Sequence, residues 1–326
     1  MIKIRLKGLH LAVIAVGLFV GVAALYVYFP ASTCTGNYRL LNPALSCGAR
    51  DAISKVSYRT FRERLESDIE QMKQEGNVQT AAVYFRDLER GPTFGIDERT
   101  KFIPASLLKV PLLITYFRLA EDDPAILKRN LLMSASSTYE PREQGLPPQQ
   151  SIEKEKAYAV EDLLFRMIAY SDNRSYALLW NDIESMSTEY SLVNETLSEL
   201  GLTNPENDIA EETFSVKSYA FLFRVLYNAS YLTTELSEKS LEYLSATEYA
   251  EGLRKGVPLA VPIAHKFGIR ELPSGERQLH DCGIVYYPDN PYLLCVMTRG
   301  DDFQELAGVI TYLSKAVYEE VDARRY

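Results

Sequence analysis

Residues 102–109 read FIPASLLK, and an apolar run, VPLLITYF, follows at residues 110–117. The run predicts a buried helix, and a spacing of three places the Ser106 hydroxyl and the Lys109 ammonium on one helical face. A serine hydroxyl is a weak nucleophile until a base takes its proton, and a lysine with a lowered pKa can act as that base. Backbone N–H groups at a helix start can stabilise an oxyanion. Alone, the pattern also fits a helix cap followed by a surface lysine.

Two further short motifs follow along the chain. Residues 171–173, SDN, come after an apolar run and by themselves predict only a helix-capping turn. Residues 266–268, KFG, end the run VPIAH and carry no signal alone. In this order and with these separations, the three motifs resemble the SxxK, SDN and KTG signature of class A β-lactamases and penicillin-binding proteins. The resemblance covers residues 56–322, and residues 280–285 resemble the penultimate strand of that family.

The resemblance implies a role for each matched side chain. Ser106 would be the acylated nucleophile, and Lys109 would take its proton. Ser171 would relay a proton to the leaving nitrogen, and Asn173 would bind the substrate amide. Lys266 would keep the site electropositive. These residues predict a serine acyl-transfer enzyme.

The third motif departs from the family pattern. The family's oxyanion hole uses the nucleophile's own N–H and the N–H just past the KTG glycine, which here follows Gly268 and belongs to Ile269. Phe267 stands where the family usually has threonine or serine, whose hydroxyl helps to hold the substrate carboxylate. Arg270 could supply charge instead, although it also fits a solvent-facing arginine. We therefore predict that Phe267, Gly268 and Ile269 line the substrate site together with Asn173.

A second departure concerns hydrolysis of the acyl-enzyme. Class A enzymes position the hydrolytic water with a glutamate in a Glu-x-x-Leu-Asn motif. The resemblance implies that this glutamate would lie in a loop after the SDN motif. The loop at residues 202–212 has no such motif, and its acids are Glu206, Asp208, Glu211 and Glu212. They fit solvated loop residues, and Glu206 is the best functional candidate among them.

The pattern of apolar residues predicts an α+β fold. An amphipathic helix at residues 58–75 precedes a strand at 80–88, and helical segments then fill the sequence up to about residue 250. They are predicted at 106–121, 160–181, 186–200, 215–229 and 233–246. Strand signals return at His265 and in a hairpin of 278–287 and 292–299, before a closing helix at 302–321. The fold is therefore expected to be β-lactamase/transpeptidase-like, with an antiparallel sheet flanked by the N- and C-terminal helices and an inserted all-helical half.

An apolar segment near the N-terminus predicts one transmembrane helix. Residues 9–29, LHLAVIAVGLFVGVAALYVYF, would span roughly 30 Å as a helix, which matches a bilayer core. Lys3, Arg5 and Lys7 precede it, and the next basic residue is Arg39. The positive-inside rule therefore places the short N-terminus in the cytoplasm and the rest of the chain outside the membrane.

The predicted anchor divides the chain into four regions. Residues 1–8 form the cytoplasmic N-terminus, residues 9–29 the anchor, residues 30–55 a juxtamembrane linker and residues 56–326 the serine hydrolase domain. A cleaved signal peptide is the alternative, although its apolar region is usually about 7 to 15 residues long. Lipid attachment at Cys34 is a further alternative. Each of these exports the domain.

The four cysteines allow three pairings, among which the sequence does not choose. Cys34 and Cys47 would close a short loop outside the membrane. Cys282 and Cys295 flank the predicted turn at residues 288–291. No CxxC spacing occurs, so the cysteines predict structural disulfides or buried thiols, with no metal site and no cofactor.

Charge and histidine content exclude two other classes. The net charge of -9 gives no electrostatic support for binding nucleic acid. A serine-histidine-aspartate hydrolase is the mechanistic rival, but no GxSxG nucleophile elbow occurs, and the histidines are His10, His265 and His280. His280 beside Asp281 predicts a structural hydrogen bond.

The predicted function is a membrane-anchored, extracytoplasmic serine hydrolase that acts on β-lactams or on peptidoglycan stem peptides. A β-lactamase-like activity is the first interpretation, on the overall resemblance. A D-alanyl-D-alanine peptidase and a penicillin sensor without turnover are the alternatives. The sequence does not indicate the oligomeric state.

Overall fold

A computed structural model describes residues 38–46, 57–135, 148–187, 191–202 and 214–324. The chain forms two units, Met1–Asp51 and Ala52–Tyr326. The described part of the first contains a short 3-10 helix, Pro43–Ser46. Among the described residues, no helix is both long and apolar enough to cross a bilayer. The predicted anchor at residues 9–29 lies outside them.

The second unit contains a five-stranded antiparallel sheet with the order β2-β1-β7-β6-β5. Its strands are β1 (Thr80–Asp87), β2 (Thr93–Ile96), β5 (Ile263–Glu271), β6 (Arg277–Val285) and β7 (Tyr292–Gly300). Two short strands, β3 (Asn130–Leu132) and β4 (Ala157–Ala159), pair separately. The predicted β6–β7 hairpin is present. Strands β2, β3 and β4 were not predicted, because three or four residues are too few to show a strand period.

Eight α-helices are described. They are α1 (Arg59–Gln74), α2 (Lys109–Asp122), α3 (Val160–Ala169), α4 (Asn173–Glu184), α5 (Leu192–Glu199), α6 (Val216–Tyr227), α7 (Thr234–Ser245) and α8 (Phe303–Ala323). The prediction of one continuous helix over residues 160–181 is wrong, whereas the helix-capping turn predicted at residues 171–173 is present. The helix ends at Ala169, because Ser171 has a left-handed φ of 54° and Asp172 then caps a new helix.

The terminal helices and the sheet share one apolar core. Helix α1 contributes Phe61, Leu65 and Ile69, and α8 packs beside it through residues such as Leu306 and Ile310. Helix α6 contacts β1, β6 and β7. The arrangement confirms the predicted α+β fold, in which the helical half follows β2 and returns to the sheet at β5.

The buried disulfide of the sheet joins Cys282 and Cys295. These residues lie directly opposite each other on β6 and β7. The hairpin register therefore decides a pairing that the sequence left open. Cys34 and Cys47 lie outside the described residues.

Candidate active site

Ser106 lies in a tight turn at the start of helix α2. The turn is a 3-10 helix, Ala105–Leu108, that leads directly into α2. Ala105 has a positive φ of 50°, which costs a non-glycine residue about 1–3 kcal/mol and persists only where the surroundings fix it. Tyr219 is buried on α6 and donates its hydroxyl to the Leu107 carbonyl (2.9 Å). Ser106 itself is partly exposed, which its predicted role as nucleophile requires.

Lys109 is the first residue of α2 and is 1% exposed. Its Nζ donates to the Ser171 carbonyl (2.6 Å), the Ser171 Oγ (3.0 Å) and the Asn173 Oδ1 (2.7 Å). Burial, and after it the charge of Lys266, holds the pKa of Lys109 well below its usual value, and the Asp172 carboxylate opposes that shift. A lysine with a lowered pKa can accept a proton near neutral pH.

Asp172 fixes the SDN turn, and the sequence analysis did not assign it a role in the site. Its side chain caps α4 by accepting the N–H groups of Arg174 and Ser175 (both 3.2 Å). The same carboxylate accepts the hydroxyls of Ser151 (2.7 Å) and Ser175 (2.6 Å) and the Ile152 N–H (3.3 Å). The sequence predicted the helix-capping turn from this aspartate before a helical run, but its contacts with Ser151 and Ile152 depend on the tertiary structure.

Lys266 reaches the same serine from strand β5. Its side chain is fully buried, and its Nζ donates to the Ser171 Oγ (2.9 Å) and the Phe267 carbonyl (3.1 Å). Burial lowers the pKa of Lys266 to about 7, and the Asp281 carboxylate opposes that shift. The Ser171 hydroxyl therefore lies between two lysine amines, of which Lys109 is the other.

Strand β5 directs one backbone N–H away from β6, on the side of the turn that contains Ser106. The Tyr286 N–H donates to the Pro262 carbonyl at one end of the β5–β6 ladder, and the Leu272 N–H donates to the Glu276 carbonyl at the other. Hydrogen-bonded and non-hydrogen-bonded pairs alternate in an antiparallel ladder. The backbone groups of the even-numbered residues of β5 therefore form hydrogen bonds with β6. Ile269 is odd-numbered, so its backbone N–H points to the opposite edge of β5.

Gly268 permits the close approach of β5 to this turn. A Cβ at this position would lie 2.8 Å from the Pro104 carbonyl oxygen and 3.1 Å from the Leu107 Cγ. Any larger residue would push the strand away from Ser106. Ile269 follows directly, so its outward N–H lies next to the turn, where the sequence predicts an oxyanion donor.

The structure places the Phe267 ring in the core. The ring is 9% exposed and stacks on Tyr249, with centroids 4.3 Å apart. The Lys266 Nζ lies over the same ring, 4.0 Å from its centroid. The predicted substrate contact of Phe267 can therefore involve little of its side chain. Arg270, by contrast, is exposed at the same end of β5.

His280 makes the structural hydrogen bond that the sequence predicts, through its Nε2 to the Ile103 carbonyl (3.0 Å), and Asp281 has a different partner. The neighbour in sequence, His280, directs its ring elsewhere, and Asp281 Oδ1 contacts the Nδ1 of His265 (2.9 Å). Asp281 Oδ2 accepts the Leu253 N–H (2.9 Å). Alternation along β6 explains the difference, because adjacent residues of a strand point to opposite faces.

Comparison with known proteins identifies the family. A model of the beta-lactamase enzyme family matches residues 64–321. The chain belongs to the beta-lactamase enzyme family. It is therefore a serine hydrolase, and its three motifs are those that the structure brings together around Ser171. A comparison with curated protein sequences found no significant match.

Solved structures share the fold of this family member. A PBP-A mutant in an acyl-enzyme complex with penicillin G is 24% identical, with a TM-score of 0.65 over 80% of this chain and 97% of that one. A class A β-lactamase from Mycobacterium abscessus is 17% identical, with a TM-score of 0.66 over 79% of this chain and 99% of that one. A β-lactamase from Xanthomonas campestris pv. campestris is 18% identical, with a TM-score of 0.66 over 79% and 98%.

The acidic loop of this beta-lactamase family member is not part of the described site. Its candidates for deacylation, Glu206, Asp208, Glu211 and Glu212, lie outside the described residues. Within the described ranges, no group of three or more histidine, cysteine or acidic side chains could hold a metal ion.

Proposed function

We propose that this family member forms an acyl-enzyme on Ser106 with β-lactams, and that it does so outside the cytoplasm from a membrane anchor. The observation that carries the proposal is the convergence of Lys109 and Lys266 on the Ser171 hydroxyl, at 3.0 and 2.9 Å. Two buried amines around one hydroxyl make a proton path, because burial lowers the pKa of both.

In the proposed acylation, the Ser106 Oγ attacks the β-lactam carbonyl while its proton moves to a neutral Lys109. The N–H groups of Ser106 and Ile269 stabilise the oxyanion. When the C–N bond breaks, Ser171 gives its proton to the leaving nitrogen and regains one from Lys109. Lys266 holds the Ser171 oxygen throughout, and Asn173 binds the substrate amide with the part of its side chain not used by Lys109.

We expect slow hydrolysis of the resulting ester. The sequence lacks the Glu-x-x-Leu-Asn setting, and the buried carboxylate of the SDN turn, Asp172, already accepts five hydrogen bonds and is 1% exposed. Losing a general base typically costs about 100 to 10,000-fold. Glu206 is the remaining candidate for that base.

A D-alanyl-D-alanine peptidase or a penicillin sensor without turnover is the second candidate function. The missing Glu-x-x-Leu-Asn setting and the Phe267 ring favour a sensor without turnover over a fast β-lactamase. A ring cannot donate the hydrogen bond by which a threonine or serine hydroxyl holds a substrate carboxylate. Both functions keep acylation of Ser106 by penicillin, and they differ from a β-lactamase in the lifetime of the adduct.

The proposed location rests on the apolar segment at residues 9–29 and on the basic residues that precede it. A helix of that length matches a bilayer core, and the charge asymmetry orients the domain outward. Either a β-lactam or a peptidoglycan stem peptide would meet the enzyme on that side.

Intact-mass measurement tests the proposal. Full-length protein in detergent micelles is mixed with benzylpenicillin and sampled from seconds to hours, with Ser106→Ala as the control. We expect a one-penicillin adduct that persists in the wild type and never forms in the control. Rapid turnover of nitrocefin without an accumulating adduct would instead establish an efficient β-lactamase. No adduct and no hydrolysis would refute the proposal.

A further inference from the structure

We propose that His280 is a positioning residue for Ser106, acting through the backbone of Ile103. The inference rests on the proposed acylation of Ser106 and names the device that orients the nucleophile. Residues 101–103, here called the approach segment, lead into the nucleophile turn and are fixed by side chains from strands β6 and β7.

Two side chains of β6 hold both backbone groups of Ile103. The Ile103 carbonyl lies 3.0 Å from His280 Nε2, and the Ile103 N–H donates to Gln278 Oε1 (3.1 Å). A carbonyl only accepts, so His280 carries its proton on Nε2. His280 and Gln278 are 0% and 2% exposed and lie two residues apart, so they share one face of the strand.

The residues before Ile103 are fixed as well. Arg299 on β7 donates to the Lys101 carbonyl (3.0 Å), and its guanidinium lies 5.0 Å from the Phe102 ring centroid. The Phe102 ring also meets the His280 ring edge-on, with centroids 5.4 Å apart. The Phe102 backbone exchanges two hydrogen bonds with Phe214, each 2.9 Å. The approach segment therefore cannot shift without breaking contacts on several sides.

The contacts of the approach segment lie next to a residue with a strained backbone. Ala105 adopts a positive φ only two residues after Ile103 and directly before Ser106. A strained residue relaxes unless the chain on both sides is held. Tyr219 holds the far side through Leu107, and His280 holds the near side through Ile103. Relaxation of Ala105 would change the direction of the Ser106 side chain, because Ser106 follows it directly.

Two substitutions of His280 distinguish an effect on the position of Ser106 from an effect on folding. His280→Leu keeps the bulk and removes the donor, whereas His280→Gln restores an N–H donor. We expect His280→Leu to lower the acylation rate constant for penicillin at least tenfold, with the dissociation constant before acylation unchanged, and His280→Gln to recover most of the rate. Ser314→Ala is the matched control, because it removes a buried side-chain bond to a backbone carbonyl, that of Leu253 (2.9 Å), which is not part of the approach segment. It should acylate within twofold of the wild type.

A double-mutant cycle tests the role of strain. Glycine adopts a positive φ at no cost, so Ala105→Gly should reduce the loss that His280→Leu causes. An equal loss in both backgrounds would overturn the inference, as would wild-type acylation by His280→Leu. If His280→Leu does not fold, Arg299→Met removes the exposed contact with Lys101 and should lower acylation about threefold; no change there would also overturn it.

A second reagent separates this inference from the proposed function. A fluorophosphonate is attacked by Ser106 with loss of fluoride and needs no β-lactam recognition. Wild-type labelling by this probe without penicillin acylation would refute the proposed function alone. The inference would still be supported if fluorophosphonate labelled the wild type fastest, His280→Gln more slowly and His280→Leu most slowly. Equal labelling rates would refute it.

Discussion

Replacement of Asp172 by asparagine should destabilise the domain more than any other conservative change at a helix cap. The carboxylate accepts three backbone N–H groups and two hydroxyls while 1% exposed. An amide has one oxygen, so at least one buried N–H loses its acceptor, which costs about 1–3 kcal/mol. The remaining bonds lose their charge assistance, about 1 kcal/mol each, and the removal of a buried charge offsets part of this. We expect a loss of about 3 kcal/mol, or roughly 6 °C in Tm for a domain of this size.

Asp302→Asn provides the matched control. Asp302 caps α8 with a single oxygen, which accepts the N–H groups of Gln304 (2.7 Å) and Glu305 (3.1 Å), and its side chain is 56% exposed. An asparagine can keep that oxygen in place, so the loss should stay below about 1 kcal/mol. Calorimetry and urea titration measure both variants. Equal Tm losses would refute the reasoning that the buried network around Asp172 sets the cost. We further expect Asp172→Asn to slow acylation at least tenfold, because Ser171 and Asn173 flank the cap.

Further predictions concern the nucleophile, its base, acid stability and topology. Ser106→Ala should abolish labelling by a fluorescent penicillin with nearly unchanged Tm, and labelling at the wild-type rate would exclude Ser106. Lys109→Ala should slow acylation at least ~100-fold in stopped-flow measurements, and a neutral result would assign the base elsewhere. Burial lowers the pKa of His280 from 6.5 to about 4, so the unfolded state binds more protons than the folded state between these pH values. The free energy of unfolding should therefore fall by ~3 kcal/mol as the pH falls from about 6.5 to 4. Urea midpoints at pH 7 and 4.5 should show this loss, and His280→Gln should lack it. A C-terminal alkaline phosphatase fusion should be active in cells and a fluorescent protein that folds only in the cytoplasm should not; the opposite pattern would contradict export by residues 9–29.

The pattern of apolar residues was sufficient to predict those helices and strands whose period is visible within one short stretch of sequence. Apolar periodicity predicted α1, α8 and the β6–β7 hairpin, because a helix or a hairpin shows its period within one short stretch. It failed at residues 160–181, where apolar spacing continues across two helices. Ser171 breaks that helix with a left-handed backbone conformation, which the contacts of Lys109 with its carbonyl and hydroxyl help to hold. Such contacts join residues 62 positions apart and leave no local signal.

The sequence by itself determined the chemistry: two serines, two lysines and an amide in the order of a known signature, in a chain with no GxSxG motif and no CxxC spacing. Only the tertiary structure decided how these groups interact. The sheet register brings Lys266 to the Ser171 hydroxyl from 95 residues away and places Cys282 opposite Cys295. It also turns the Phe267 ring into the core. The physical reason is that strand alternation and register fix which face each side chain occupies, and register depends on packing between segments that are distant in sequence.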